Sequence, residues 1–155
     1  GAGGSINLTS GWLVGGGTIQ ANGADSPQGW QGAGGGGRVA VKLTGTGADF
    51  GNYSGGVFAY GGTANPMAEG AAGTVYLEKP SDGTGYGNLI IDNPSDRVGS
   101  TGVTTRLSAL VTDVSVGTVT IRNSGILEMK DTLLSLTVKG GWNNISGANI
   151  FNYNL

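Results

Sequence analysis

Apolar and polar residues alternate along this chain in short runs separated by glycine-rich stretches. Ile6 and Leu8 share one side of Ser5–Thr9, Val39, Val41 and Leu43 one side of Arg38–Leu43, and Val75 and Leu77 one side of Thr74–Lys79. Period-two alternation predicts half-buried β-strands. Each run has a second one downstream, at Gly17–Ala21, Gly56–Tyr60 and Asn88–Asp92. The unit is therefore strand, bend, strand and loose glycine-rich loop, with first strands spaced by 33 and then 36 residues. After Val103 the spacing tightens, and Arg106–Val111, Val116–Asn123, Gly125–Lys130 and Leu133–Gly140 read as strands, followed by a strand-like tail at Asn149–Leu155. No stretch places apolar residues at i, i+3, i+4 and i+7 over three turns, so no long helix is expected.

Two architectures accommodate many short alternating strands. A β-sandwich or jelly roll pairs them antiparallel through hairpins. A parallel β-solenoid stacks equivalent strands of successive coils about 4.8 Å apart. The repeated unit favours the second, because stacking needs matching apolar positions. The expectation is an all-β chain forming a right-handed parallel β-helix, with the β-sandwich or jelly roll as the alternative. Residues 1–155 form one domain in this reading, with irregular long-loop coils over 1–103 and tighter coils over 104–155. Coils of about 20–25 residues would number six or seven. Segments 22–36, 44–54 and 65–72 would protrude as loops, and glycine would serve corners at φ > 0.

Composition narrows the chemistry. Of 155 residues 33 are glycine, yet 37% are hydrophobic, which argues against disorder, and Arg38–Leu43 breaks any collagen period. There is no cysteine and no histidine. That removes thiol nucleophiles, disulfides, Ser-His-Asp triads and zinc-finger sites. A net charge of −2 with eight scattered cations offers no footprint for nucleic acid, and no apolar run is long enough for membrane insertion.

Several segments carry a family likeness. Gly3–Ile6, Gly17–Gly23, Gly34–Val41, Gly70–Leu77, Gly85–Asn93 and Leu136–Asn144 resemble the glycine-rich β-helix segments of large bacterial surface and secreted adhesin-like proteins, whose solenoids are pectate-lyase-like. The resemblance implies an exported stalk, adhesive or matrix-forming segment without catalytic residues of its own.

Candidate chemistry is sparse. Gly32-x-Gly34-x-x-Gly37 matches a dinucleotide fingerprint in letters, but a strand follows it where a helix is required. Asp82, Asp92 and Asp96 are the carboxylates a polysaccharide-active β-helix enzyme would group in one groove, although each lies in a turn-forming sequence. Asp92, Asn93 and Asp96, or Asp25 with nearby carbonyls, are oxygen ligands suited to a structural calcium ion; no other cofactor is expected. Trp30, Trp12 and Tyr60 are candidates for glycan contact, with loop packing or assembly as the competing use. Sequons at Asn7, Asn52 and Asn144 matter only in a source that glycosylates exported proteins.

Solenoid ends expose strand edges and apolar core. Ile6, Leu8, Ile150, Phe151 and Tyr153 are accordingly the assembly candidates, and the partner expected is a second copy. The functional expectation is a non-enzymatic, extracellular or cell-surface structural protein that self-associates into a filament, sheath or stalk. A carbohydrate-binding or adhesion module is the alternative, and a polysaccharide-active enzyme the third. Export follows from the likeness and the missing initiator Met, with cysteine absence a weaker support.

Overall fold

A computed structural model of the chain describes residues 1–26, 31–64, 68–94, 103–107, 113–129, 135–144 and 149–152. Among these the protein is all-β: eleven strands and one 3-10 turn, with no α-helix. The long strands lie where alternation places them: β1 (Ser5–Ser10), β3 (Arg38–Leu43), β5 (Thr74–Glu78), β6 (Asn88–Asn93), β8 (Asp113–Asn123) and β10 (Ser135–Asn144). The shorter ones are β2 (Thr18–Gln20), β4 (Gly56–Phe58), β7 (Thr105–Arg106), β9 (Ile126–Met129) and β11 (Asn149–Asn152).

The six long strands form one sheet in the order β1-β3-β5-β6-β8-β10. Ser5 pairs with Arg38 and Arg38 with Thr74, both parallel, so the 33- and 36-residue spacings read from sequence are the pairing offsets. Columns of like side chains result, Ile6–Val39–Val75 and Leu8–Val41–Leu77. β2 pairs with β4, also parallel, and single bridges join Gly15 to Tyr53 and Ser26 to Ala64. Beyond β6 the pairing offsets shorten: Ser135 lies against Asp113, Leu127 against Thr105 and Asn149 against Ile126, all parallel at offsets of 22 or 23 residues.

The third repeat departs from the pattern. Asn88–Asn93 does not stack on β4 as the other second strands predict; it returns antiparallel beside β5 within the large sheet. Residues directly opposite in such a pair point to the same face. Val75 faces Ile90, and both pack on the core of Val39, Val41, Leu43, Ala21 and Ala59. Tyr76 faces Leu89, and both belong to the second core of Ile91, Val119, Ile121 and Leu127. The two cores therefore lie on opposite faces of one continuous sheet. Strand sense and buried face invert together at this seam, which amounts to a half-turn about the stacking axis. The seam is stapled in both directions: Ile90 reaches into the first core, and Tyr76 into the second.

Glycine has a second role beyond the positive-φ corners found at Gly15, Gly17, Gly47, Gly83, Gly85 and Gly141. A Cβ on Gly36 would lie 2.1 Å from the Ala59 carbonyl oxygen, closer than real atoms approach, and Gly3 meets Ala21 in the same way. The segments are pinched together there until backbone touches backbone. Residues 31–36 are accordingly laid into the stack rather than protruding from it, with Gly36 N–H bonded to Ala71 C=O at 2.9 Å. A file of backbone hydrogen bonds crosses these segments. Ala24 N–H donates to Gly1 C=O, Gly34 to Ala24, Gly62 to Gly34 and Gly70 to Gly62, each at 2.8–2.9 Å.

Candidate functional site

The seam generates the most chemically varied surface of the described residues. Between β5 and β6 the chain folds back through Lys79–Gly87, helped by Pro80 at the start of the 3-10 turn and by positive φ at Gly83 and Gly85. The fold-back is anchored by a buried carboxylate. Glu78 Oε1 pairs with Lys42 Nζ at 2.6 Å, while Oε2 accepts from Tyr76 Oη at 2.7 Å and Gly85 N–H at 2.9 Å. Gly87 N–H in turn donates to Tyr76 Oη at 2.9 Å. Burial pushes the Tyr76 phenol up to about 12, aided by its hydrogen bond to Glu78. Burial also acts to raise the Glu78 carboxyl, but Lys42, Tyr76 and Gly85 outweigh it and hold the group below its ordinary value.

On the other side of the sheet lies a groove of about 380 Å³. One wall is the Asp49–Gly51 turn and the other the fold-back with Asp82 and Tyr86. Leu77, Asn88 and Thr118 share one row across the sheet and line the groove between the walls. Both walls are held by local bonds: Asp49 Oδ1 accepts from Gly51 N–H and Asp82 Oδ2 from Lys79 N–H, each at 2.9 Å. Lys139 Nζ sits 4.1 Å from the centre of the Tyr86 ring. A second groove, of about 290 Å³, runs over the glycine-rich strip and is bordered by Arg38, Thr104 and Arg106.

Asp82 and Asp92, two of the carboxylates singled out from sequence, do not share a groove. Asp82 lies at the fold-back. Asp92 is buried in β6, accepting from Arg122 Nε at 2.8 Å and Asn123 Nδ2 at 2.6 Å. Asn93 closes the backbone file: its Nδ2 donates to Gly70 C=O at 3.3 Å and its Oδ1 accepts from Gly61 N–H at 3.0 Å. Asp25 Oδ1 accepts from Thr63 N–H at 2.7 Å. Asp96 lies outside the described residues. Among the described residues no group of three acidic side chains is placed to hold a metal ion.

The aromatic candidates are scattered as well. Trp12 is 52% exposed and follows β1. A Cβ on Gly45 would lie 2.6 Å from its Nε1, so the indole rests on that glycine. Tyr60 follows β4, with its ring 4.8 Å from Phe58. Trp30 lies outside the described residues. Of the assembly candidates, Ile6 and Leu8 are half-buried in β1, at the outer edge of the large sheet. Ile150 and Phe151 lie in β11, paired with Leu127 and Glu128, and Tyr153 is outside the described residues. The groove residues Asp49, Phe50, Asn88 and Thr118 went unnoticed in the sequence. Their one signal was the third unit's ending, Asp92-Asn93-Pro94, which breaks the pattern of the first two.

Among the described residues no helix is long and apolar enough to cross a membrane. Comparison with protein-family models, curated proteins and solved structures finds no match to this chain.

Proposed function

We propose that this chain is a non-enzymatic β-solenoid segment of an extracellular or cell-surface filament, sheath or stalk, and that it works by self-association. The observation that carries the reading is the pair of columns Ile6–Val39–Val75 and Leu8–Val41–Leu77, in which like residues of successive windings lie over one another. Stacking of this kind is the defining economy of a solenoid. The half-turn at the seam inverts strand sense and buried face together, so the hand of winding is kept, right-handed in this proposal. The extracellular setting follows the likeness of the repeats to adhesin-like β-helices.

Two further features support a structural rather than a catalytic role. The buried carboxylates among the described residues are each paired with a cation: Glu78 with Lys42, Asp92 with Arg122 and Glu128 with Arg106. General acid–base work needs such a group free to exchange protons with a substrate. Ile6 and Leu8 are half-buried, whereas Val39 and Val41 one winding inward are 1% and 0% exposed. A strand of a second copy laid along β1 buries them in the same way. β1 carries no charge and no proline, the devices that normally blunt an edge.

Sedimentation velocity and electron microscopy across a concentration series test the reading. Oligomers or rods that grow with concentration, and that are lost in Leu8→Lys, are expected. A monodisperse monomer at hundreds of micromolar would overturn it.

A further inference from the structure

The glycine strip offers Arg38 and Arg106, but Arg106 is already paired with Glu128. Trp12 and Trp142 stand at separate places on the surface. The seam groove carries more.

Its origin is topological. In the second winding, the chain between β3 and β4 passes through the Asp49–Gly51 turn. The third winding has no such passage, because the chain folds back at Lys79–Gly87. The turn is thus left uncovered, and beside it the sheet continues with the outward row of the second half, Asn88 and Thr118. A groove of about 380 Å³ remains, at the lower end of the size range of small-molecule sites.

We infer that this groove is a binding site for a neutral saccharide unit. The lining combines two aromatic rings, Phe50 and Tyr86, with polar groups of both kinds. Local bonds use only part of that capacity: Asp49 Oδ2, Asp82 Oδ1 and Asn88 Nδ2 have no hydrogen-bond partner among the described residues. Two carboxylate acceptors and an amide donor suit vicinal hydroxyls, each of which both donates and accepts. Aromatic rings suit the apolar C–H face of a pyranose. Charge selects within the class, since Asp49 and Asp82 with Lys79 and Lys139 sum to zero and offer an acidic sugar no net attraction. The walls are preorganised, one by the Asp49–Gly51 bond and the other by the Glu78 anchor with Lys139 against Tyr86. Little ordering is then left for the ligand to impose.

The test is titration of the full chain with soluble neutral oligosaccharides, hexose and N-acetylhexosamine polymers, beside uronic-acid polymers, read by calorimetry and saturation-transfer NMR. Neutral oligosaccharides bind, and Asp49→Ala and Tyr86→Ala each weaken them at least about tenfold with thermal midpoint and oligomeric state unchanged. Trp12→Ala and Trp142→Ala, exposed indoles that do not line the groove, leave affinity intact. No binding of any neutral oligosaccharide, preference for uronic acids, or full affinity in both groove variants would overturn the site. Self-association is scored in the same samples, so loss of either property is read separately from the other.

Discussion

Ile90 lies directly opposite Val75 across the antiparallel pair, on the sheet face where its own half otherwise shows Asn88, Thr118 and Arg122. An apolar residue in that polar row joins the two halves, because it fills the first core from the second half's strand. Ile90→Ala is expected to cost about 2 kcal/mol, the low end for an Ile truncation because the residue is not fully buried. Ile91→Ala, at 0% exposure, costs up to about 5 kcal/mol. Urea unfolding of the two variants checks the order.

Two glycines should fail for different reasons. Gly36→Ala sets a methyl against the Ala59 carbonyl, and backbone on both sides must shift, a loss of about 3 kcal/mol. Gly47 has open space around it but φ of 75°, so Gly47→Ala pays for conformation alone, about 1 kcal/mol. Thermal midpoints of the pair separate close approach from backbone strain.

Acid stability should depend on Lys42. A carboxyl held below its ordinary value contributes stability that is present above the unfolded value near 4.3 and is lost as pH falls through the folded one. Lys42→Met removes the Glu78 ion pair and lets the folded value rise. The midpoint of acid unfolding then moves to higher pH, which a fluorescence titration between pH 2 and 6 reads.

The alkaline limb belongs to Tyr76. Its phenol ionises near 12 in the folded protein against about 10 unfolded, so the neutral form is favoured by folding. The associated stability is whole below pH 10 and disappears as pH rises from 10 towards 12. Absorbance at the phenolate band should show a last-titrating tyrosine in the wild type that is missing in Tyr76→Phe.

Asn93→Ala should destabilise the chain although it removes no apolar core. The Gly70 carbonyl and the Gly61 N–H both lose the amide that serves them, at about 1–3 kcal/mol for each group left wanting. Asn93→Asp keeps the acceptor but sets a buried carboxylate oxygen against the Gly70 carbonyl, and at neutral pH costs at least as much.

Strand positions were legible because alternation is a local property: Arg38–Leu43 alone shows which side of β3 is apolar. Parallel pairing was legible because the repeat spacing is itself the register. The seam was not. Nothing in Asn88–Asn93 alone says whether Leu89 or Ile90 will point inward, since both are apolar and the choice of face depends on what lies across the pair. The groove was hidden for the same reason, as Asp49 and Asn88 become neighbours only once the fold-back has formed. The glycines were half-read: corners at Gly47 and Gly83 fit the expectation, while the contact at Gly36 depends on a carbonyl 23 residues away.

The file running from Asn93 through Gly70, Gly62, Gly34 and Ala24 to Gly1 points every N–H the same way. Peptide dipoles of about 3.5 D laid head to tail add and polarise one another. Beside it the bonds from Gly3 N–H to Gly35 C=O, Ala33 N–H to Ala68 C=O and Gly36 N–H to Ala71 C=O point the other way, so the polarity of this one row is offset by its neighbours and the stack as a whole keeps only a small net dipole.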